Sequence, residues 1–556
     1  MTKKLKYTLL AIVGAGVVAV STAAVSSPDF KLGQNVEMLV AMLRNIWFYY
    51  VDEVDADTLG KNAAAGMVRG LDPYTELIHA DDMSDFELMT TGKYGGIGSL
   101  IRQKGDWVQI AQPYKGSPAD RAGLEIGDTF LEVEGRDARG MTTAKVSATL
   151  KGEAGTNVTI KVRKFYTGEE QTLSIRREVI ALPAIPYYGM VGKGVGYIHH
   201  SDFTDGCADE LRAALADLRA RGARSLILDY RGNGGGIMQE AVKILALFVP
   251  KGTEVLSMRG RGEGSNHTYL TATEPIDTQM PIVVLTNGYT ASSAEIVAGA
   301  LQDLDRAVLV GQRTFGKGLV QSTLPVGFNS YLKLTTAKYY IPSGRCVQAI
   351  DYSHRSETGG VGFVPDSLVR EFRTAGGRRV YDGGGVMPDV RLEPEYNSRF
   401  AVIAYSKGYI DEFVDEWSLE NRSREVSPRG FALTDADYAM FVEAMRPKDF
   451  GFESVTAEAI RTLRRSAERE RYIEDIAPYI DQIEAALRDD NEANLAHYRT
   501  ELTELIEDGI ILRRHYEQGV SEHNLVGDKA VAQAVAIATD PTRYTEITTT
   551  KDTDRK

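Results

Sequence analysis

Residues 281–321 run PIVVLTNGYTASSAEIVAGALQDLDRAVLVGQRTFGKGLVQ, from Pro281 to Gln321. Ile282-Val283-Val284-Leu285 is a short, unbroken apolar run and reads as a buried strand. Asn287-Gly288 ends it as a turn. Thr290-Ala291-Ser292-Ser293-Ala294-Glu295 then leads into Ile296, Val297, Ala300, Leu301 and Leu304 at helical spacing, so a helix starts here. A second strand, Ala307 to Val310, delivers Gly311-Gln312-Arg313-Thr314-Phe315-Gly316-Lys317-Gly318, and Gln321 follows. Strand, turn, helix, strand is α/β order. It sets a serine at a strand-to-helix turn and brings a glycine-flanked lysine back from the next strand.

Those residue types suit acyl transfer. A serine hydroxyl is a weak nucleophile until a base removes its proton. Lysine serves as that base only when neutral, which needs its ordinary pKa of about 10.4 to fall by roughly 3 units. Burial away from any carboxylate does this. Gln321, on the strand face of Lys317, is placed to orient the amine. A plainer reading makes Ser292 a helix cap and Lys317 a solvated loop residue. Ser293 is a rival nucleophile. The Gly311–Lys317 segment also fits the first seven positions of a phosphate-binding P-loop, but Gly318 stands where a magnesium-binding hydroxyl is required. The strand-like Leu319–Leu324 stands where a P-loop needs a helix.

This stretch resembles the carboxy-terminal processing, or tail-specific, serine peptidases. Ser292, Lys317 and Gln321 match the family's motif position by position, with Thr290 where serine is common and Ser293-Ala294 in reversed order. A second match is Asp229-Tyr230-Arg231-Gly232-Asn233-Gly234-Gly235-Gly236, where the family has Asp-Leu-Arg-x-Asn-Pro-Gly-Gly. The resemblance implies a crotonase-like α/β core, with Ser292 as nucleophile, Lys317 as base and Gln321 in support. It also implies an oxyanion site made by an amide of Gly235 or Gly236 together with that of Ser293. A glycine turn between strand and helix frees amides for such use.

Residues 91–178 resemble a PDZ domain, mainly β. Tyr94-Gly95-Gly96-Ile97-Gly98 precedes a strand, Ser99 to Arg102, and glycines let successive N–H groups converge on a terminal carboxylate. Gly95, Gly96, Ile97 and Gly98 are the candidate peptide-binding residues. Gly116 to Asp128, the run Phe130–Gly135, a helix near Thr142–Leu150 and a strand Asn157–Phe165 complete the order.

The rest of the chain divides around these two regions. Lys3, Lys4 and Lys6 before an apolar run from Tyr7 to Val25 read as a signal peptide or N-terminal anchor over 1–25. Export to the periplasm or cell envelope follows. Residues 29–90 read as helical, with a scaffold or dimerisation role that makes a homo-oligomer possible. Residues 179–394 form the catalytic domain, with 345–380 a polar loop insertion and Pro388-Asp389 structural, no acid there having an evident partner. Residues 395–545 are helical, a brace or an interaction module, and 546–556 a flexible tail.

A net charge of −13 and a pI near 5.3 argue against nucleic acid as a partner. Cys207 and Cys346 have no metal spacing, their pairing is open, and no HExxH occurs. No cofactor and no metal are expected. The reading is an exported Ser-Lys endopeptidase acting on polypeptides with free C-termini. Its alternative is a silent or gated PDZ scaffold of the envelope. An ester or lactam hydrolase is disfavoured because no Gly-x-Ser-x-Gly and no Ser-x-x-Lys surrounds Ser292.

Overall fold

The computed structural model describes residues 28–262, 264–355, 361–487 and 490–549. The signal or anchor expected over 1–25 lies outside them. The described chain forms two compact units: residues up to Ala80 with Gln321–Thr335, and Asp81–Val320 with Thr336 onward.

In the first unit, Pro28–Tyr49 and Ala56–Val68 are helices. Asp55 caps the second through Thr58 N at 2.7 Å. The Leu71–Thr75 turn is closed by Asp72, which accepts from Tyr74 N and Thr75 N at 2.9 and 3.0 Å. Residues 29–90 are not helical throughout: Glu76–Ile78 is a strand, paired antiparallel with Tyr331–Lys333. Three residues carry no periodicity of their own, and the partner strand lies far away in sequence.

The second unit is built on a six-stranded sheet. Its elements are β1 (Tyr187–Gly192), β2 (Val195–His199), α1 (Cys207–Ala220), β3 (Ser225–Asp229), α2 (Met238–Leu245), β4 (Ile282–Thr286), α3 (Ser293–Asp303), β5 (Val308–Gly311) and β6 (Val390–Arg391). Strand order follows chain order, β1 antiparallel to β2 and the rest parallel. Every residue of β3, β4 and β5 is buried. Parallel strands of that kind need cover on both faces. Leu211, Leu215, Ile244, Val297 and Leu301 of α1–α3 cover one face. The other is covered by α4 (Lys529–Ala538) and α5 (Pro541–Thr549), whose Val531, Ala534, Ile537 and Ile547 pack on Ile227, Val283, Leu285, Val308 and Val310. The C-terminal helices are thus divided in role: those from 529 onward pack on the six-stranded sheet. The expected tail from 546 starts inside α5, which runs to Thr549.

The PDZ region is a sheet in the order Ser99–Lys104, Trp107–Pro113, Thr129–Val133, Asn157–Arg163, Glu170–Arg176, with a helix at Thr143–Leu150. Val158, Ile160 and Val162 alternate into its core beside Ile97 and Phe130. Its entry and exit strands, Lys93–Gly96 and Glu178–Ala181, pair antiparallel, which closes it as an insertion. A third core, around Phe400, Phe413, Trp417, Phe441 and Ile510, joins the helices Arg399–Ser406, Tyr409–Glu420, Asp435–Met445 and Arg499–Asn524.

Residues 345–380 are not a loop. Ile350–Arg355 pairs with Val361–Phe363, and Glu371–Arg373 with Arg379–Tyr381. Arg345, buried, bonds Asp303 and Gln302 at the end of α3, both at 2.8 Å. Asp389 also has partners: it accepts from Arg378 Nη1 at 2.5 Å and from Leu309 N at 2.9 Å. It remains structural, as an anchor between β5 and β6.

Candidate active site

The turn from β4 into α3 carries Ser292 at φ 55°, ψ −118°. Such backbone is strained for a non-glycine residue, by about 1–3 kcal/mol, and persists only where surroundings over-determine it. Here they do. Thr290 Oγ1 donates to Tyr230 O at 2.8 Å, Ala291 N to Asn233 O at 2.9 Å, and Ser292 N to Glu295 Oε2 at 2.9 Å. The turn shares the strand-to-helix form of a nucleophile elbow but lacks its glycine motif.

The adjoining serine is different. Ser293 is 1% exposed and its hydroxyl donates to Gly236 O at 2.9 Å. Its amide opens α3 and has no helical acceptor.

The glycine turn after β3 presses against this elbow. A Cβ on Gly235 would meet Ser292 Cβ at 2.6 Å and Ser293 N at 2.9 Å, so only glycine allows the approach. Asn233, fully buried, orders the turn. Its Nδ2 donates to His200 O at 2.7 Å and its Oδ1 accepts from Gly235 N at 2.8 Å. The Gly235 amide is therefore committed, while that of Gly236 has no protein acceptor among the described residues.

Lys317 reaches the same place through Glu295. This carboxylate, fully buried, accepts Ser292 N and Lys317 N on Oε2 at 2.9 and 2.8 Å. On Oε1 it accepts Thr314 Oγ1 and Gly316 N at 2.5 and 2.8 Å. Burial pushes the carboxyl up to about 7, against the pull of those hydrogen bonds. From the other side, Tyr339 Oη lies 2.5 Å from Lys317 O and 3.2 Å from Ser292 O.

Ser292, Ser293, Gly235, Gly236 and Lys317 are thus drawn into one cluster. Gln321 falls in the first unit, where its amide donates to Thr335 Oγ1 at 3.1 Å, and Thr335 Oγ1 donates to Asp72 Oδ1 at 3.1 Å. Glu295, Asn233 and Tyr339 were given no role in the sequence. Glu295 had a signal, an acid at the capping position of an otherwise apolar helix. Tyr339 had none.

In the PDZ region, Gly95 and Gly96 sit in the strand paired with Glu178–Ala181. A Cβ on Gly95 would meet Gly152 O at 2.1 Å. Ile97 points into the PDZ core, and Gly98, at φ 77°, offers its carbonyl to Tyr114 N at 2.9 Å and Ser117 Oγ at 2.8 Å. Ser99–Lys104 is an edge strand. Both cysteines are free, Cys207 buried.

A parallel α/β core with a serine on a strained elbow, an inserted PDZ domain and a helical C-terminal region defines a PDZ-bearing peptidase architecture. Comparison with known proteins agrees. The profile of peptidase family S41 matches residues 194–356, that of a PDZ domain 109–164, and that of the C-terminal helical domain of a probable PDZ-protease 402–538. The Bacillus subtilis carboxy-terminal processing protease CtpA is 32% identical over 477 residues, 84% of this chain and 100% of that one. A Bartonella bacilliformis carboxy-terminal-processing protease is 33% identical over 326 residues, 58% of this chain and 72% of that one. Among solved structures, a photosystem II D1 C-terminal processing protease is 25% identical at a TM-score of 0.33, covering 64% of this chain and 87% of that one. The chain belongs to peptidase family S41, the carboxy-terminal processing proteases.

Proposed function

We propose that this chain is an exported serine endopeptidase that uses a Ser292–Lys317 dyad to cleave polypeptides near C-termini captured by its PDZ domain. Neutral Lys317 Nζ takes the Ser292 Oγ proton, and Oγ adds to the scissile carbonyl carbon. The amides of Gly236 and Ser293 receive the oxyanion. Collapse expels the amine, which takes the proton back from Lys317, and leaves an ester on Ser292. Water, deprotonated by Lys317, then hydrolyses that ester.

The observation that carries this reading is the shared anchoring of Ser292 N and Lys317 N on one carboxylate oxygen, with Ser292 on a strained elbow. Ser293 is set aside as nucleophile because its hydroxyl is spent on Gly236 O. Gly236 is preferred to Gly235 in the oxyanion site because Asn233 already holds the Gly235 amide. The open edge at Ser99–Lys104 suits an extended peptide added as a strand, its carboxylate near the Gly95–Gly98 segment. The case for export rests on the basic and apolar start of the chain. No described helix is long and apolar enough to cross a membrane.

The test is digestion of one unfolded protein, with a free or an amidated C-terminus, by wild type, Ser292→Ala and Lys317→Ala. Cleavage by wild type alone, dependent on the free end, is the expected result. Cleavage by Ser292→Ala overturns the nucleophile. Peptide binding by an inert wild type favours the scaffold instead.

A further inference from the structure

We propose that Glu295 and Tyr339 are a pair of positioning residues that hold Ser292 and Lys317 in register for proton transfer, one clamping their amides and the other their carbonyls. This rests on the dyad reading above. Ser292 and Lys317 lie on different segments, one at the start of α3 and the other in the strand-free stretch after β5. Nothing covalent or in a shared helix fixes one against the other. A nucleophile and its base must nonetheless meet within hydrogen-bond reach, and small misplacement is costly in rate.

The two side chains supply that fixation, one at the amides and one at the carbonyls. Glu295 Oε2 takes both amides, at 2.9 Å from Ser292 N and 2.8 Å from Lys317 N. Tyr339 Oη lies within hydrogen-bond distance of both carbonyls, 3.2 Å from Ser292 O and 2.5 Å from Lys317 O. Each is nearly or fully buried, so neither contact competes with water. Gly316 N and Thr314 Oγ1 on Glu295 Oε1 extend the grip to the residues before Lys317. All four partners of Glu295 donate to it, and three of them are N–H groups that can only donate, divided between its two oxygens. A glutamine turns its NH2 toward at least one N–H and releases that contact. Such a group is a poor choice for stability, since a buried anion costs more than an apolar side chain. Its presence is explained by what it aligns.

The test uses the full chain as wild type, Ser292→Ala, Lys317→Ala, Glu295→Gln and Tyr339→Phe. A fluorophosphonate is reacted to exhaustion to count competent serines, and kcat and KM are measured on one peptide. The expected result for Tyr339→Phe is an unchanged count and an unchanged KM, with kcat per counted site about tenfold lower. Glu295→Gln is expected to lose about a hundredfold in the same way. A merely structural role lowers the count and leaves turnover per counted site at the wild-type value, and that result overturns the proposal. If Glu295→Gln does not fold, Tyr339→Phe, which keeps the ring, decides alone. Activity in Ser292→Ala or Lys317→Ala overturns the dyad itself. Inactive dyad variants with wild-type turnover in Tyr339→Phe overturn only the clamp.

Discussion

Ser292 and Lys317 share an acceptor: both backbone amides donate to Glu295 Oε2, at 2.9 and 2.8 Å. A strained elbow and a glycine-flanked lysine are thereby tied to one buried point. The consequences of that tie can be measured.

The first concerns pH. An ordinary glutamate titrates near 4.5, and burial pushes Glu295 up to about 7. Between those values the folded state keeps a proton that the unfolded state has lost. Its contribution to stability is therefore fully present below 4.5 and is lost as pH rises through 7, by on the order of 3 kcal/mol. Urea unfolding of Ser292→Ala between pH 4.5 and 8 is expected to show this fall, and Ser292→Ala with Glu295→Gln to lack it. Turnover of wild type moves the other way, rising through pH 7 as the anion that suits four donors forms.

The glycine turn gives a second prediction. Asn233 joins His200 O to Gly235 N and so fixes the turn on which Gly236 lies. Asn233→Ala is expected to lower kcat about 10- to 100-fold at unchanged KM, as the proposed oxyanion donor loses its aim. Asn233→Asp keeps the acceptor for Gly235 N and is expected to fall between. Steady-state kinetics on one peptide checks both.

A third prediction addresses how the PDZ domain is held within its unit. Arg513, on the helix Arg499–Asn524, pairs with Asp415, stacks over Phe165 at 4.4 Å and donates to Ile126 O at 3.1 Å. Asp411 pairs with Arg102 at 2.7 Å, and Asp415 also pairs with Lys104. Arg513→Ala removes the buried central member of this network, at a cost of about 1–3 kcal/mol. Hydrogen exchange is expected to quicken in Ser99–Lys104 and Thr129–Val133 and to stay unchanged in β4.

The fourth concerns α4. Ile537 is fully buried on the second face of the catalytic sheet. Ile537→Ala is expected to cost about 2–5 kcal/mol by denaturant unfolding in the Ser292→Ala background. Truncation of the exposed Val526 to Ala is expected to cost under about 0.5 kcal/mol.

Much of the candidate site can be read from the sequence. Ser292, Lys317, Gly235, Gly236 and the PDZ order stand in local patterns of turn, apolar run and glycine, and those patterns reflect backbone needs that neighbours in sequence can signal. The short strand Glu76–Ile78 and the paired strands within 345–380 were not legible. Three-residue strands have too little periodicity, the six-residue Ile350–Arg355 is largely polar, and the pairing of all of them depends on partners brought in by the rest of the chain.

By itself the sequence determined the α/β order, the inserted PDZ domain, the family and the serine and lysine to test. These are carried by contiguous motifs, because helix starts, buried strands and tight turns are made from adjacent residues. Tertiary structure decided what joins them. That β4 is buried could be read from its unbroken apolar run, but not that the second cover of its sheet comes from Lys529–Thr549. That Glu295 and Tyr339 grip the amides and carbonyls of Ser292 and Lys317 could not be read at all. Burial and hydrogen bonding are satisfied by whatever the fold brings within reach, and reach in space is not recorded by distance along the chain.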